Sequence, residues 1–435
     1  MGPMPPARDA ALVRAIGPRQ LTAAILNATV GAGIFVLPAL VAQGIGAAAP
    51  LAFLVCAAII GLIAVALAMA GSRVALTGGI YAYVEVAFGP YAALLAGVLQ
   101  WLTGVAAVSG IATALLDQLG TLAPRLSGGA VRLPVLVAGL AVLAVLNVRG
   151  VRIGTRVIEA VTALKLAPLV VFVAAGALLL DWSALVWPGL PSGDALGRSV
   201  LLLIFAYTGV EMALAPSGEV ADPARTVPRA IFQALALATS LYVAVQLVAQ
   251  AALGPQLAQE TAAPLAEAAG RFLGGAGVTL MLAGAVCSMF GYLCGDMLST
   301  PRTIYAFARD GLLPRALARI HPTRRTPDAA IWTHAAIVGM LAGSQSFEAL
   351  ALISNVGTLL LYLVCCAAAL ELGRRDVRMA GEPFAPRGAW LAPVGGAALV
   401  IWILSSATPR EFAVTGGVLA AATLAYLVRK RAQFS

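Results

Sequence analysis

Twelve apolar stretches recur along the chain, at residues 19–42, 48–71, 90–119, 132–149, 156–180, 195–217, 229–253, 270–299, 329–345, 348–372, 389–406 and 411–428. Each approaches the roughly 20 residues that an α-helix needs to cross the hydrocarbon of a bilayer. Hydrocarbon offers no water to backbone N–H and C=O groups, so a spanning segment must satisfy them internally. The stretches are therefore read as twelve transmembrane helices of one all-α polytopic membrane protein. Composition agrees: 61% of the 435 residues are hydrophobic and 11% are charged, against about 25% charged in soluble domains.

The formal charge of +9 could suggest a nucleic-acid partner, but the basic residues fall in the connections between apolar stretches. Placing the N-terminus inside leaves 22 Lys and Arg on the inner segments and five on the outer ones, namely Arg125, Arg132, Arg198, Arg271 and Arg410. This asymmetry follows the positive-inside rule. It predicts a cytoplasmic (inner) membrane protein with both termini in the cytoplasm and no nucleic-acid partner. Arg8, Arg14 and Arg19 precede the first stretch like the start of a signal peptide, but eleven further stretches follow, so it is read as an uncleaved span. The basic loop Arg319–Arg325 is expected to meet anionic lipid headgroups.

Two stretches carry residues that oppose a continuous helix. The first contains Thr29-Val30-Gly31-Ala32-Gly33-Ile34, with Pro38 one turn later. The sixth contains Phe205-Ala206-Tyr207-Thr208-Gly209-Val210-Glu211, with Pro216 beyond it. Glycine weakens a helix by about 1 kcal/mol relative to alanine and permits non-helical dihedrals. Unwound backbone at membrane depth is tolerated where it lines a cavity or meets a ligand. The breaks lie five stretches apart, which predicts two five-helix repeats, residues 16–182 and 194–372, with helices 11 and 12 (389–428) outside them. An odd number of spans makes the repeats inverted, and paired interrupted helices mark a transporter site.

The motifs resemble those of the amino acid–polyamine–organocation superfamily, the amino acid permeases with the leucine-transporter fold. The resemblance is carried by Gly31-Ala32-Gly33-Ile34-Phe35 with Leu37-Pro38, and by Thr77-Gly78-Gly79-Ile80-Tyr81 with Phe88-Gly89-Pro90. It is carried further by Phe205 to Glu211 with Glu219-Val220-Ala221-Asp222-Pro223, and by Pro301-Arg302 with Ala308-Arg309-Asp310-Gly311. It spans residues 15–430. It implies a single 5+5 inverted-repeat transporter domain working by alternating access.

A helix N-terminus offers free amides and the positive end of its dipole, which suits a carboxylate. The resemblance assigns substrate-carboxylate binding to Gly31, Ala32, Gly33 and Ile34, and Thr29 could add a hydroxyl. The alternative for the glycines is close helix packing. A broken helix 6 ends its first half in free carbonyls, which accept from an ammonium. Phe205, Ala206, Tyr207, Thr208 and Gly209 are assigned to the substrate amino group and gate. For Phe205 and Tyr207 plain packing is the alternative.

Glu211 is an acid inside a span, a costly placement that marks a functional site or a brace for the break. Lys165 is the one basic residue inside a span. By resemblance it takes the place of a sodium ion, in reach of carbonyls near Gly31 and of Ser288 on span 8. It either carries the transported proton or stays charged as a tie, and both readings make transport sodium-independent. Asn355 and Thr358 could reach the site from helix 10. Glu159 is expected to pair with Arg152 or Arg156, Asp296 with Arg302 or the inner gate, and Asp117 to be solvated. His321 and His334 lack metal-ligand company. Cys56, Cys287, Cys294, Cys365 and Cys366 read as packing residues, so no metal and no cofactor are expected. Small neutral residues Thr103 to Ser109 favour a neutral amino acid, while Glu211 leaves a cationic one, or a polyamine, open. An amino acid exchanger or exporter is the alternative within the class, and the chain is expected as a monomer or homodimer. A passive channel is disfavoured by the paired breaks. A membrane-embedded enzyme is disfavoured because only Lys165 and Glu211 offer acid–base chemistry.

Overall fold

The computed structural model describes residues 16–74, 76, 78–123, 125, 129–149, 155–185, 189–214, 220–260, 262–309, 311–379 and 382–432. Arg8, Arg14, Thr77, Arg152, Pro216, Glu219 and Asp310 lie outside these residues, as do the side chains of Arg156 and Glu159. Among the described residues the chain forms fifteen α-helices and no β-strand.

The first apolar stretch is two helices, α1 (Pro18–Thr29) and α2 (Gly33–Ile45), with Val30 to Ala32 between them. Val30 leaves the helical region (φ −77°, ψ 85°), and its amide closes back on the Leu26 carbonyl at 2.8 Å. The sixth stretch is likewise split into α8 (Gly193–Tyr207) and a one-turn α9 (Val210–Ala213). The other helices are α3 (Ala49–Arg73), α4 (Ile80–Phe88), α5 (Pro90–Leu122), α6 (Gly129–Val148), α7 (Thr155–Leu179), α10 (Pro223–Leu253), α11 (Pro264–Arg309), α12 (Asp328–Ser344), α13 (Phe347–Arg374), α14 (Leu391–Ser405) and α15 (Pro409–Ala432). Within α11, Gly274 (φ 61°) introduces a kink.

Among the described residues seven helical stretches are long and apolar enough to cross a membrane, and Leu164–Leu179 and Leu391–Ser405 are shorter apolar helices. The chain is a multi-pass membrane protein. The breaks explain part of the difference from twelve: α1, α2 and α8 have 12, 13 and 15 residues, and at 1.5 Å per residue none of them alone spans a bilayer.

The broken helices are neighbours. α2 packs on α8, while α1 packs on α9 and along α10. Ile16, just before α1, pairs with Val220 in a short parallel bridge, and the Ala221 amide donates to the Ile16 carbonyl at 3.0 Å. The second wall of the bundle comes from α5, α7, α11 and α13. α11 approaches α7 at Gly284, where a Cβ would stand 2.6 Å from Pro168 Cγ. Small residues permit such close crossings in membranes, and this one fixes the turn of α7 that carries Lys165.

Charges concentrate at helix ends. Arg198 holds Glu411 through both guanidinium nitrogens at 3.0 and 3.1 Å, and Glu411 also accepts the Thr408 amide at the start of α15. Asp117 is not simply solvated: it accepts from Arg132, with both side chains about one-third exposed. In the loop before α12, the Arg319 guanidinium holds the Asp328 carboxyl below the usual carboxylate range.

Candidate functional site

A cavity of about 470 Å³ lies where the two breaks meet. The first break contributes Asn27, Ala28 and Gly31, and the second contributes Thr208, Gly209 and Glu211. α7 supplies Lys165, α5 supplies Thr103, Gly104 and Ala107, and α13 supplies Ser354 and Thr358. The long wall is α11, from Ser288 through Tyr292 to Asp296 and Ser299.

The second break forms at Gly209, whose φ of +117° is a conformation that only glycine adopts without strain. Its hydrogen faces the first break directly. A Cβ there would lie 2.7 Å from the Ala28 carbonyl carbon and oxygen and 2.9 Å from the Thr29 nitrogen. Glu211 braces this turn. Its Oε1 accepts the Gly209 amide at 3.0 Å and its Oε2 accepts the Tyr362 hydroxyl at 2.8 Å.

At the first break Gly31 and Gly33 do different things. A Cβ on Gly31 would meet only the Thr29 carbonyl, at 4.0 Å, so Gly31 presents open backbone to the cavity. A Cβ on Gly33 would sit 3.2 Å from Phe205 Cδ1 and 3.3 Å from Ala206 Cα. Gly33 is thus the point where α2 crosses α8, the packing role that such a motif can also serve.

Lys165 Nζ donates to the Asn27 carbonyl of α1. This acceptor lies one turn before Gly31, in the last turn of α1, where helix carbonyls lack intrahelical donors. Ser288 lines the same cavity, and its buried hydroxyl has no hydrogen-bond partner among the described residues.

Several predicted site residues stand behind the cavity rather than in its wall. Ala32, Gly33 and Ile34 are buried, and so is Thr29, whose hydroxyl has no partner among the described residues. Phe205 packs edge-on against Phe347, ring centroids 5.2 Å apart. Tyr207 donates to the Phe53 carbonyl and packs on Tyr242, so it belongs to the packing behind the break. Ala206 is buried, and its carbonyl is engaged. Asn355 donates from Nδ2 to the Leu201 and Leu202 carbonyls, which braces α8 instead of facing the cavity.

The engaged Ala206 carbonyl identifies a residue that sequence reasoning missed. Tyr242, fully buried on α10, directs its hydroxyl to the Thr29 carbonyl at 2.8 Å and the Ala206 carbonyl at 2.9 Å. One O–H thus serves both broken helices. A tyrosine inside an apolar span is the available signal, because a buried phenol usually finds a partner. Replacing Tyr242 with Phe removes this donor from both carbonyls; the Thr29 carbonyl keeps the Gly31 amide at 2.9 Å, while the Ala206 carbonyl loses its donor at about 1–3 kcal/mol for an unsatisfied group. The expected result is a lower Tm in detergent. A Tyr242→Phe protein that melts like the parent would contradict the bridging role.

Two other side chains also depart from expectation. Asp296 does not pair with Arg302; it binds His334 and Thr300, each at 2.6 Å. His334 is therefore not a lone histidine, although no group of three potential metal ligands occurs among the described residues. The five cysteines are free: Cys56, Cys365 and Cys366 are buried, while Cys287 and Cys294 are partly so.

The sequence pattern of the family described as amino acid permease matches residues 16–428, which include both breaks and every helix of the cavity. The chain belongs to the amino acid permease family. The family is part of the superfamily that the motifs resemble, and its members are transporters, not enzymes. This permease is 28% identical to the methylthioribose transporter of Bacillus subtilis over 92% of its own length and 89% of the relative's. It is 31% identical to an uncharacterised transporter of Mycobacterium tuberculosis, covering 93% and 89% of the two chains. It is 26% identical to a branched-chain amino acid permease of Bacillus subtilis, covering 85% and 83%.

Proposed function

We propose that this permease carries a neutral amino acid across the cytoplasmic membrane, coupled to protons and independent of sodium. The observation that carries the reading is the cavity between two broken helices with the Lys165 ammonium fixed on α1. The Gly31 amide itself donates to the Thr29 carbonyl at 2.9 Å, so the cavity-facing backbone at Gly31 suits a carboxylate through the dipole of the α2 start two residues on. The first-helix motif Gly31 to Ile34 is the family's carboxylate-binding element by resemblance. The Phe205 and Ala206 carbonyls are engaged by Thr208 and Tyr242, so the substrate ammonium is assigned to the break at Thr208 and Gly209, which line the cavity. Thr103, Gly104 and Ala107 leave room for a small neutral side chain.

By resemblance, the ammonium of Lys165 takes the place that a sodium ion holds in related folds, and this supports sodium-independent transport. Spans 1, 2, 6 and 7 would rock against spans 3, 4, 8 and 9, each group drawn from both five-helix repeats, 16–182 and 194–372, with the helices of residues 389–428 outside them. By the distribution of Lys and Arg both termini are cytoplasmic. A cationic substrate is the second reading, favoured by the carboxylates of Glu211 and Asp296 in one cavity. Each already accepts two hydrogen bonds, which is why the neutral reading comes first.

Reconstitution into proteoliposomes tests this. An outside-acid gradient, with choline in place of sodium, is expected to drive accumulation of radiolabelled leucine or another neutral amino acid. Accumulation that requires sodium, or that is seen only with lysine, arginine or polyamines, would overturn it.

A further inference from the structure

The cavity wall holds an acid whose surroundings match a reversible proton site. Asp296 is 9% exposed and lines the cavity from α11. Its Oδ1 accepts the Thr300 hydroxyl from the next turn, and its Oδ2 contacts Nε2 of His334 on α12, both at 2.6 Å. His334 is 0% exposed, and its Nδ1 has no hydrogen-bond partner among the described residues.

That orphaned Nδ1 decides where a proton can sit. A neutral imidazole carrying its hydrogen on Nε2 donates to the carboxylate and leaves Nδ1 a bare acceptor. An imidazolium would place an N–H donor on Nδ1 with nothing among the described residues to receive it, and an unsatisfied buried donor is costly, more so on a charged group. A proton on Asp296 meets no such obstacle. With Oδ1 protonated, the bond to Thr300 reverses: the hydroxyl accepts, and its own hydrogen turns to the backbone carbonyl four residues back, as helical threonines do. His334 still donates to Oδ2. Both protonation states of Asp296 therefore keep their hydrogen-bond partners, whereas protonating His334 adds a buried N–H donor that has none among the described residues.

The ionisable groups around this pair are few. Lys165 from α7, Glu211 from α9 and Tyr292, one turn earlier on α11, share the cavity. Tyr362 of α13 is bound to Glu211, and Tyr242 of α10 is engaged at the break. Asp117 of α5 and Arg132 of α6 are paired with each other. Asp328 of α12 is paired with Arg319, which follows the short turn Arg315–Ala318. Lys165 donates to a carbonyl, and Glu211 accepts two hydrogen bonds within the break. Asp296 is the remaining carboxylate of the cavity.

We propose that Asp296 is a proton-binding group of the cavity wall, positioned by His334, that takes a proton from cavity water at one stage of the transport cycle and returns it at another. This deepens the proton-coupled reading and rests on it. Infrared difference spectra of the protein in nanodiscs, recorded as pH is stepped, read the protonated carboxyl directly and need no substrate. The parent should show a carboxylic C=O band that disappears as pH rises. Asp296→Asn should lack it, and Glu211→Gln should keep it. His334→Leu should keep the band at a displaced frequency, because the C=O has lost a hydrogen bond, and His334→Gln should move it back.

In proteoliposomes a one-unit pH gradient sustains about tenfold accumulation for one coupled proton. Asp296→Asn should reduce that gradient-driven factor to about one. No titrating band in the parent, a band that persists in Asp296→Asn, or full gradient-driven accumulation by that variant would each overturn the proposal. A band that His334→Leu leaves unmoved would overturn the role of His334. A band lost in Asp296→Asn, with no uptake of any solute by the parent under any gradient, supports the proton site and contradicts the transport reading. The two failures are thereby distinguished.

Discussion

Gly209→Ala is expected to abolish transport and to lower Tm markedly. Two costs add. The φ of +117° places a non-glycine residue in a sparsely populated region, worth about 1–3 kcal/mol. The new Cβ would also stand 2.7 Å from the Ala28 carbonyl and 2.9 Å from the Thr29 nitrogen. Those are backbone atoms, so relief requires α1 to move away from α9. That movement would stretch the Tyr242 bridge and the Lys165 contact together. Gly139→Ala is the matched control, because a Cβ there meets nothing within 4 Å and the residue lies on α6, away from the cavity. Thermal unfolding and uptake measured on both variants check the prediction. Equal behaviour of the two would mean that contact between the breaks is not what the fold depends on.

Lys165→Ala carries the second large effect. Its ammonium holds the last turn of α1 through the Asn27 carbonyl, and a hydrogen bond to a charged group is worth about 1.5–3 kcal/mol. Removing it should raise the population of α1 detached from α7 by roughly ten- to hundredfold. Amide exchange in Pro18–Thr29 should quicken by a similar factor, and uptake should fall. Lys165→Arg is not expected to restore transport, because a planar guanidinium differs in shape and reach from a compact ammonium. The measurement is hydrogen exchange by mass spectrometry with uptake alongside. Unchanged exchange in α1 would show that Lys165 does not tie it.

The breaks and the lysine were legible in the sequence because each violates a local rule. Glycines at mid-span, an acid two residues after Gly209 and one cation inside a span all need a reason in hydrocarbon. What the motif could not divide was labour: Gly31 faces the cavity and Gly33 packs against Phe205, a difference set by how α2 crosses α8. Tyr242 was not legible as a bridge, since a tyrosine in an apolar helix reads as packing until the carbonyls of Thr29 and Ala206 are seen to converge on it. Asp296 and His334 lie 38 residues apart and meet only when α11 packs on α12. The first and sixth apolar stretches each divide into two shorter helices, which is why no single long helix stands for either of them.

The central claim is that the cavity between the breaks binds an amino acid. It is tested most directly by a thermal-shift screen of the natural amino acids and polyamines on the parent and on Gly31→Leu, since a bound ligand raises Tm by mass action. The Gly31 Cβ direction is open except for one carbonyl at 4.0 Å, so the leucine should fit the fold while filling the site. The account predicts that at least one neutral amino acid stabilises the parent and fails to stabilise Gly31→Leu, with both proteins folded. Stabilisation of both to the same extent, or stabilisation of the parent by polyamines alone, would contradict it.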